Sequence, residues 1–518
     1  MPSDLLIDPA RGFWKGGRYI GTKLMAITRL GEVVGLRRKA GRLDREVLPP
    51  EVVRRDPRQD VRDAWVAIDL GTSTTVVAIG TKYSRDLIRI GSHEPVRRPR
   101  DYETPSEVTF ENLAPVLKAW TDRVILPLTE WGDVYVGCAA KERRSAVGHQ
   151  SALRTKATVG SLADIAARLH SGEAISVCGV SDPSNVVPLQ PPAPPIIDEE
   201  GIAPDDPFDP LELFGYYIGL HVNTRQKGLH LRYAVGMPTG WDDDRRTQVL
   251  AQIRRGIMRS LPAGMVDYAD LAALQVVDAG PNVLSFAAYA FRVFAIAPRP
   301  AESIPFVSVD AGASETAVLC GYFRNGSSEE VGAGYQRVVE HVQPSVLADF
   351  GGERLLHDMA YKVYASSGSS MRNNNIPFWP PAGAAPLAGH EDRLCNSIDA
   401  RTNVTLLKDA VRNILEVAGP APLPDTVALV DGSGTIRDAR VMIDRAALNE
   451  WLRGQLSSLA SGISKAIGEG FQQVTRAEPP YHEMHIFLGG RLAMHPFLHE
   501  RLNAILPNGV HIHRFREP

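Results

Sequence analysis

Three segments share one pattern, in which a short apolar strand runs into a tight polar turn built on glycine. In WVAIDLGTSTTVVAIG, residues 65–80, the apolar Val66, Ala67 and Ile68 lead to Asp69, and the chain turns over Gly71 with Thr72, Ser73, Thr74 and Thr75. It then resumes with the β-branched pair Val76 and Val77, a sequence that predicts a β-hairpin. PFVSVDAGASETAVLCGY, residues 305–322, repeats the logic: apolar residues, Asp310, the turn Gly312, Ala313, Ser314, and a second apolar run after Thr316. HIFLGGRLAMHPFLHERL, residues 485–502, predicts a strand that ends at Gly489 and Gly490, passes Arg491, and enters a helix near Pro496. Between the second and third segments, RAALNEWLRGQLSSLASGISKAI (residues 445–467) carries apolar residues at helical spacing, which predicts a core-packing helix.

Two stretches break this regularity. Residues 183–210 hold nine prolines and an acidic cluster at Asp198, Glu199 and Glu200, and show neither helical nor strand period, so an extended loop is expected. SSGSSMRNNNIPFWPPAGAAPLAG, residues 366–389, is rich in Ser, Asn, Gly and Pro and reads as a surface insertion between regular elements, reaching to about residue 400. Upstream of the first hairpin, Arg37, Arg38, Lys39, Arg42, Arg45, Arg54 and Arg55 mark residues 1–62 as a basic N-terminal extension. A solvated face accounts for such a run; an anionic partner such as nucleic acid or a lipid surface is the alternative it leaves open.

The chain has 518 residues, 44% apolar and 23% charged, with a formal net charge of −3. That length exceeds one ordinary core and predicts two lobes, taken as residues 63–300 and 301–518. The composition is that of a folded soluble protein, and near-neutrality lacks the field of a dedicated nucleic-acid binder. Cys138, Cys178, Cys320 and Cys395 lie far apart without C-x-x-C spacing, so neither a zinc ribbon nor a disulfide framework is signalled. No apolar run reaches the roughly 18 residues of a membrane span, and a cytoplasmic protein is expected.

The turns carry chemistry as well as structure. Glycine lets backbone N–H groups approach phosphate oxygens, and hydroxyls add donors. A carboxylate such as Asp69 or Asp310 suits the water shell of Mg2+, an ion that stays partly hydrated. Neither a Walker A nor a G-x-G-x-x-G pattern is present. A single D-x-G turn is a common hairpin; three strand-and-glycine motifs in this order are more specific.

The order resembles the phosphate-1, phosphate-2 and adenosine motifs of the superfamily that includes actin, hexokinase and the DnaK-type heat-shock chaperones. Intervening segments favour the chaperones. TPSEVTF (104–110) is similar to their PSVVAF, YVGCAAKERR (135–144) to VGxxAKxQ, and LRTKATVG (153–160) to xxxKRxxG. LRYAVGMPTGWDDDRRTQVLAQI (231–253) resembles AVITVPAYFNDxQRxA, and FGGERLLHDM (350–359) resembles LGGEDFD. The resemblance spans about residues 65–507. It implies an α/β, two-lobed, actin-like ATPase fold of duplicated ribonuclease H-like lobes.

It also implies ATP with Mg2+, the metal at Asp69 and Asp310. The nucleotide would lie against Asp69, Gly71, Thr72, Ser73 and Thr74, against Asp310, Gly312, Ala313 and Ser314, against Gly351, Gly352 and Glu353, and against Gly489, Gly490 and Arg491. Lys156 would be the catalytic lysine, with Pro238 and Arg246 relaying nucleotide state. Departures from the family pattern are specific: Gly280 replaces an aligned glutamate, Ala313 and Ser314 replace glycines, and Glu315 and Ala317 replace a threonine and an aspartate. KDAVRNIL (408–415) stands where the family's adenosine clamp ExAKxxLS is expected, without matching it. Losing acidic groups that position metal-bound water implies slow or absent hydrolysis. The expectation is that no peptide-binding domain follows before Pro518, so that either a protein partner supplies client binding or nucleotide-driven lobe closure switches an assembly. A small-molecule kinase, an actin-like filament former and a nucleotide-free scaffold are the alternatives.

Overall fold

In the computed structural model the described residues are 57–515, apart from 82–83, 92–95, 147, 171, 195–201, 204, 226–227, 263–264, 266–271, 417–421 and 476–478, together with the backbone of five strands between residues 13 and 47. The protein is mixed α/β. It divides into one unit of Met1–Gly236 and Asp242–Asp278 and a second of Met237–Trp241 and Ala279–Pro518. The division expected after residue 300 falls inside the second unit.

In the first unit the alternation around Asp69 produces a hairpin. Strand Trp65–Leu70 buries Val66, Ile68 and Leu70 on one face and leaves Trp65, Ala67 and Asp69 on the other, as a period of two requires. It pairs antiparallel with Thr74–Gly80, which pairs antiparallel with Arg85–Ile88. On its other side it pairs in parallel with Arg232–Met237, and Gln275–Pro281 follows at that edge. Helix Asp243–Arg259 starts at Asp242, whose carboxylate accepts the Arg245 N–H. It packs against helix Pro210–Arg225 so closely that a Cβ at Gly256 would meet the Glu212 carbonyl. A smaller sheet sets Val108–Phe110 between Val134–Val136 and Thr158–Val159.

The second unit repeats the order. Ser303–Ala311 pairs antiparallel with Thr316–Asn325, which pairs antiparallel with Arg337–His341; on the other side Ser303–Ala311 pairs in parallel with His485–Gly489, which pairs in parallel with His511–Arg514. This sheet is covered on both faces, so its central strand reads as a near-continuous apolar run. Val307, Val309 and Ala311 pack with the long helix Arg445–Thr475 and helix Pro496–Ile505. Ile304 and Phe306 pack with Val283, Ala287 and Phe291 of helix Asn282–Val293.

The two irregular stretches behave differently from one another. Pro188 ends a short strand, and residues 189–194 beyond it form neither helix nor strand, with the Arg255 guanidinium donating to the Ala193 and Pro194 carbonyls; Asp198, Glu199 and Glu200 lie outside the described residues. Residues 366–389 correct the sequence reading, because they are no surface decoration. Gly368–Asn373 is helical, and Met371, Ile376 and Phe378 are fully buried, Phe378 stacking on Tyr364. Three apolar side chains in a polar stretch suffice to anchor it. In the basic N-terminal segment, Lys23–Ile27, Val33–Lys39 and Arg42–Val47 form an antiparallel sheet that pairs Arg37 with Asp44 and Lys39 with Arg42; Arg54 and Arg55 lie outside the described residues.

Candidate functional site

The Asp69 turn is closed by the Gly71 N–H donating to the Thr74 carbonyl at 3.1 Å. A Cβ at Gly71 would stand 2.5 Å from that oxygen, so only glycine tolerates this approach. The TPSEVTF segment braces the turn from outside. Ser106 donates its hydroxyl to the Gly71 carbonyl at 2.9 Å, lies 2.9 Å from the Thr75 hydroxyl, and gives its N–H to the Ser73 carbonyl. Thr72 is buried in the turn while Ser73 and Thr74 are half-buried and Asp69 is exposed.

The same segment connects the turn to Lys156. Val108 and Thr109 pair with Val159 and Thr158, and Lys156 is the last residue of helix His149–Lys156, two positions before that strand. YVGCAAKERR joins from the other side, with Tyr135 paired to Thr109 and Arg144 bonded to Glu107 at 3.1 Å. Segments 104–110, 135–144 and 153–160 therefore form one supporting layer. Asp164 is ion-paired with Arg245, and burial raises its carboxyl despite that neighbour. Arg246 grips Asp278 through two bonds of 2.6 Å each.

In the second unit three segments distant in sequence meet at the Asp310 turn. The Gly312 N–H donates to the Glu315 carbonyl at 2.9 Å, the same closure as in the first turn. The chain entering helix Gly352–Ser366 docks on it, with the Gly352 and Glu353 N–H groups donating to the Gly312 and Ala313 carbonyls at 3.0 and 2.8 Å. A Cβ at Gly351 would meet the Ser314 carbonyl at 2.3 Å. From a third direction Gly490, at φ +82°, passes so close that a Cβ would lie 2.2 Å from the Ala311 oxygen and 2.8 Å from Asp310 Oδ1. Asp310, Gly312, Ala313, Ser314, Gly351, Gly352, Glu353 and Gly490 are thus gathered at one place.

An aromatic ring lies on Gly489. It is the chain's own Phe286, whose atoms stand 2.5–2.9 Å from where a Cβ would be. The close approaches at Gly489 and Gly490 are therefore explained by packing within the chain. Arg491 lies 3.9 Å from Glu416, at the end of helix Ile398–Leu415.

That helix carries the feature the sequence did not yield. Lys408 and Arg412, one helical turn apart on the same face, both ion-pair with Glu353, and Arg412 also reaches Asp409. Burial alone would raise the Glu353 carboxyl, yet Lys408 and Arg412 hold it well below the usual carboxylate range. KDAVRNIL, without an assigned place in the sequence, is thereby positioned beside the GGE turn. The K-x-x-x-R spacing was the available signal.

The departures also have structural readings. Glu315 accepts the Gly240 N–H at 2.7 Å. Gly280 has φ +84°, in the left-handed region, at the end of strand Gln275–Pro281. His495, four residues before His499, accepts the Phe497 N–H and caps helix Pro496–Ile505. Among the described residues no group of three or more His, Cys, Asp or Glu side chains gathers as a metal cage. Magnesium needs none, since one or two carboxylates with water and phosphate oxygens satisfy it. Asp69 and Asp310, each beside a glycine turn, fit that mode. Among the described residues no helix is long and apolar enough to cross a membrane. Compared with protein-family models and with curated proteins, the chain matches none.

Proposed function

We propose that this protein binds Mg-ATP as a DnaK-type, chaperone-like nucleotide switch on an actin-like fold, with slow or absent hydrolysis. The observation that carries the reading is the repetition. Each unit has a central strand that ends in Asp-x-Gly, two antiparallel strands on one side and two further strands on the other. In each, the aspartate is paired in register with a glycine on the neighbouring parallel strand, Gly236 for Asp69 and Gly489 for Asp310. A sheet order of this kind, present twice with the acid at the same place, supports the two-lobed ATPase superfamily over P-loop and dinucleotide-binding folds, whose turns lead from strand to helix.

In this reading the hydroxyl-rich turn at Thr72–Thr74 of the first unit and the turn at Gly312–Ser314 of the second would each hold phosphate, and Asp69 and Asp310 would each suit the water shell of a magnesium ion. Bound Mg2+ would neutralise charge on the phosphate oxygens. Lys156 would add positive charge near the terminal phosphate, and Lys408, Arg412 and Arg491 would border the base and sugar. Lacking acidic groups at Gly280 and Ala317, the chain is better equipped to bind than to activate water. Client binding by a separate protein partner, and a cytoplasmic location, belong to the same proposal.

Isothermal titration with ATP and Mg2+ tests it. Binding that weakens at least about ten-fold in Asp69→Ala and in Asp310→Ala is expected, a loss of about 1.4 kcal/mol or more. No heat from the unmodified protein, or equal affinity in both variants, removes the reading.

A further inference from the structure

The two turns match in register. Leu70 pairs with Thr75 and Ala311 with Thr316; the turn glycines donate to the carbonyls of Thr74 and Glu315. Glu315 therefore stands where the first turn has Thr74, and a carboxylate replaces a hydroxyl at the equivalent site. Its Oε1 accepts the Gly240 N–H at 2.7 Å, and a Cβ on Gly240 would lie 2.4 Å from its Oε2 and 3.1 Å from Val346.

Gly240 belongs to Met237–Trp241, the short segment that counts with the second unit although Gly236 and Asp242 on either side count with the first. A carboxylate on a backbone N–H is a charge-assisted bond, stronger than its neutral counterpart. Glu315 thus supplies from within the chain what a bound phosphate would offer that N–H: an anionic oxygen acceptor.

We infer that Glu315 is an internal anion that latches the Met237–Trp241 segment through Gly240, and that a phosphate group at the Asp310 turn displaces it. The second half rests on the nucleotide reading above. Glu315 directly follows the Gly312–Ser314 turn, and nearby anions disfavour each other's charged forms, so a phosphate bound at that turn would compete with Glu315 in its present position. Release of Glu315 frees the Gly240 N–H, and the segment reports occupancy of the turn. Threonine at this position, as in the first turn, would bind phosphate without that competition, so Glu315 lowers affinity and couples binding to the loop.

Hydrogen–deuterium exchange and calorimetry on the full chain decide both halves. In nucleotide-free protein, Glu315→Thr should speed exchange at Gly240 about ten-fold or more, the loss of one charge-assisted bond. Glu315→Gln, which keeps an acceptor oxygen and the side-chain length, should give an intermediate rate. Equal exchange in all three proteins overturns the latch. With Mg-ATP the unmodified protein should exchange at Gly240 as fast as Glu315→Thr, whereas adenosine should leave the rate unchanged, and both variants should bind the triphosphate several-fold tighter. Bound triphosphate with Gly240 still protected overturns the displacement. If calorimetry detects no triphosphate on any of the three proteins, the nucleotide reading and the displacement fall together, while the nucleotide-free exchange rates alone decide the latch.

Discussion

Asp310 lies directly across from Gly489 on the adjacent parallel strand, with Gly490 crossing its carboxylate at a distance that excludes any side chain. The aspartate is thus fixed by a segment more than 170 residues further along the chain. Its orientation depends on the third glycine motif as much as on its own hairpin.

Gly490→Ala should therefore be among the costliest small substitutions in the chain. It forces a side chain into the left-handed region and against the Ala311 carbonyl, and a loss of about 3 kcal/mol or more is expected in urea denaturation. Gly132→Ala, exposed and with nothing within 4 Å of the added methyl, should stay within about 0.5 kcal/mol of the parent. Equal losses in the two would mean that the crossing at Ala311 is looser than described.

Much of this centre was legible in the sequence, for a definable reason. Both hairpins and the helix at Pro496 are set by local rules: β-branched strands, a glycine that admits the closing bond, and a proline at the first helical position. What escaped depends on distant pairs. Phe286 fills the space at Gly489 from 203 positions away, and Lys408 meets Glu353 from a helix whose pattern alone shows only an amphipathic face. The burial of Met371, Ile376 and Phe378 escaped because their neighbours are polar and the stretch has no period. The mutual arrangement of Glu315 and Gly240 had no signal beyond the departure from the family pattern at residue 315.

The pair Glu212–Arg259 sets a pH dependence. Both side chains are almost wholly buried, and burial lifts the Glu212 carboxyl from 4.5 to about 7 against the opposing pull of Arg259. An acid whose folded value is raised contributes most below its unfolded value. That contribution is lost as pH climbs from about 4.5 through 7, up to about 3 kcal/mol in all. Comparing stability at pH 5 and pH 8 in the parent and in Glu212→Gln isolates it: the parent should lose more than the variant across this window. A parent slope no steeper than that of the variant would place the Glu212 carboxyl near its ordinary value.

His485 works in the opposite direction. Its Nδ1 lies 2.7 Å from His513 Nε2, a bond that needs at least one neutral ring, and His511 stacks beside them while Phe294 packs on His513. Burial, reinforced by His513 and His511, lowers His485 to about 4. A histidine depressed in the folded state stabilises above its unfolded value of about 6.5, and that contribution disappears as pH falls through 4. Exchange at the amides of 511–514 should therefore accelerate between pH 6.5 and 4 beyond its intrinsic pH trend. His485→Phe should flatten this excess, and an excess that persists in the variant would assign the sensitivity to other groups.

The two Asp-x-Gly turns match in length. Each closes with the same backbone bond and re-enters its partner strand at the same step, although Thr74 also pairs with Pro105 while the pairing beside the second turn begins one step later, at Thr316 with Leu347. The repeated architecture thus lets one half keep neutral hydroxyls while the other takes on an acid, and a chimera carrying two copies of the hydroxyl turn would show how much of the protein's behaviour that asymmetry sets.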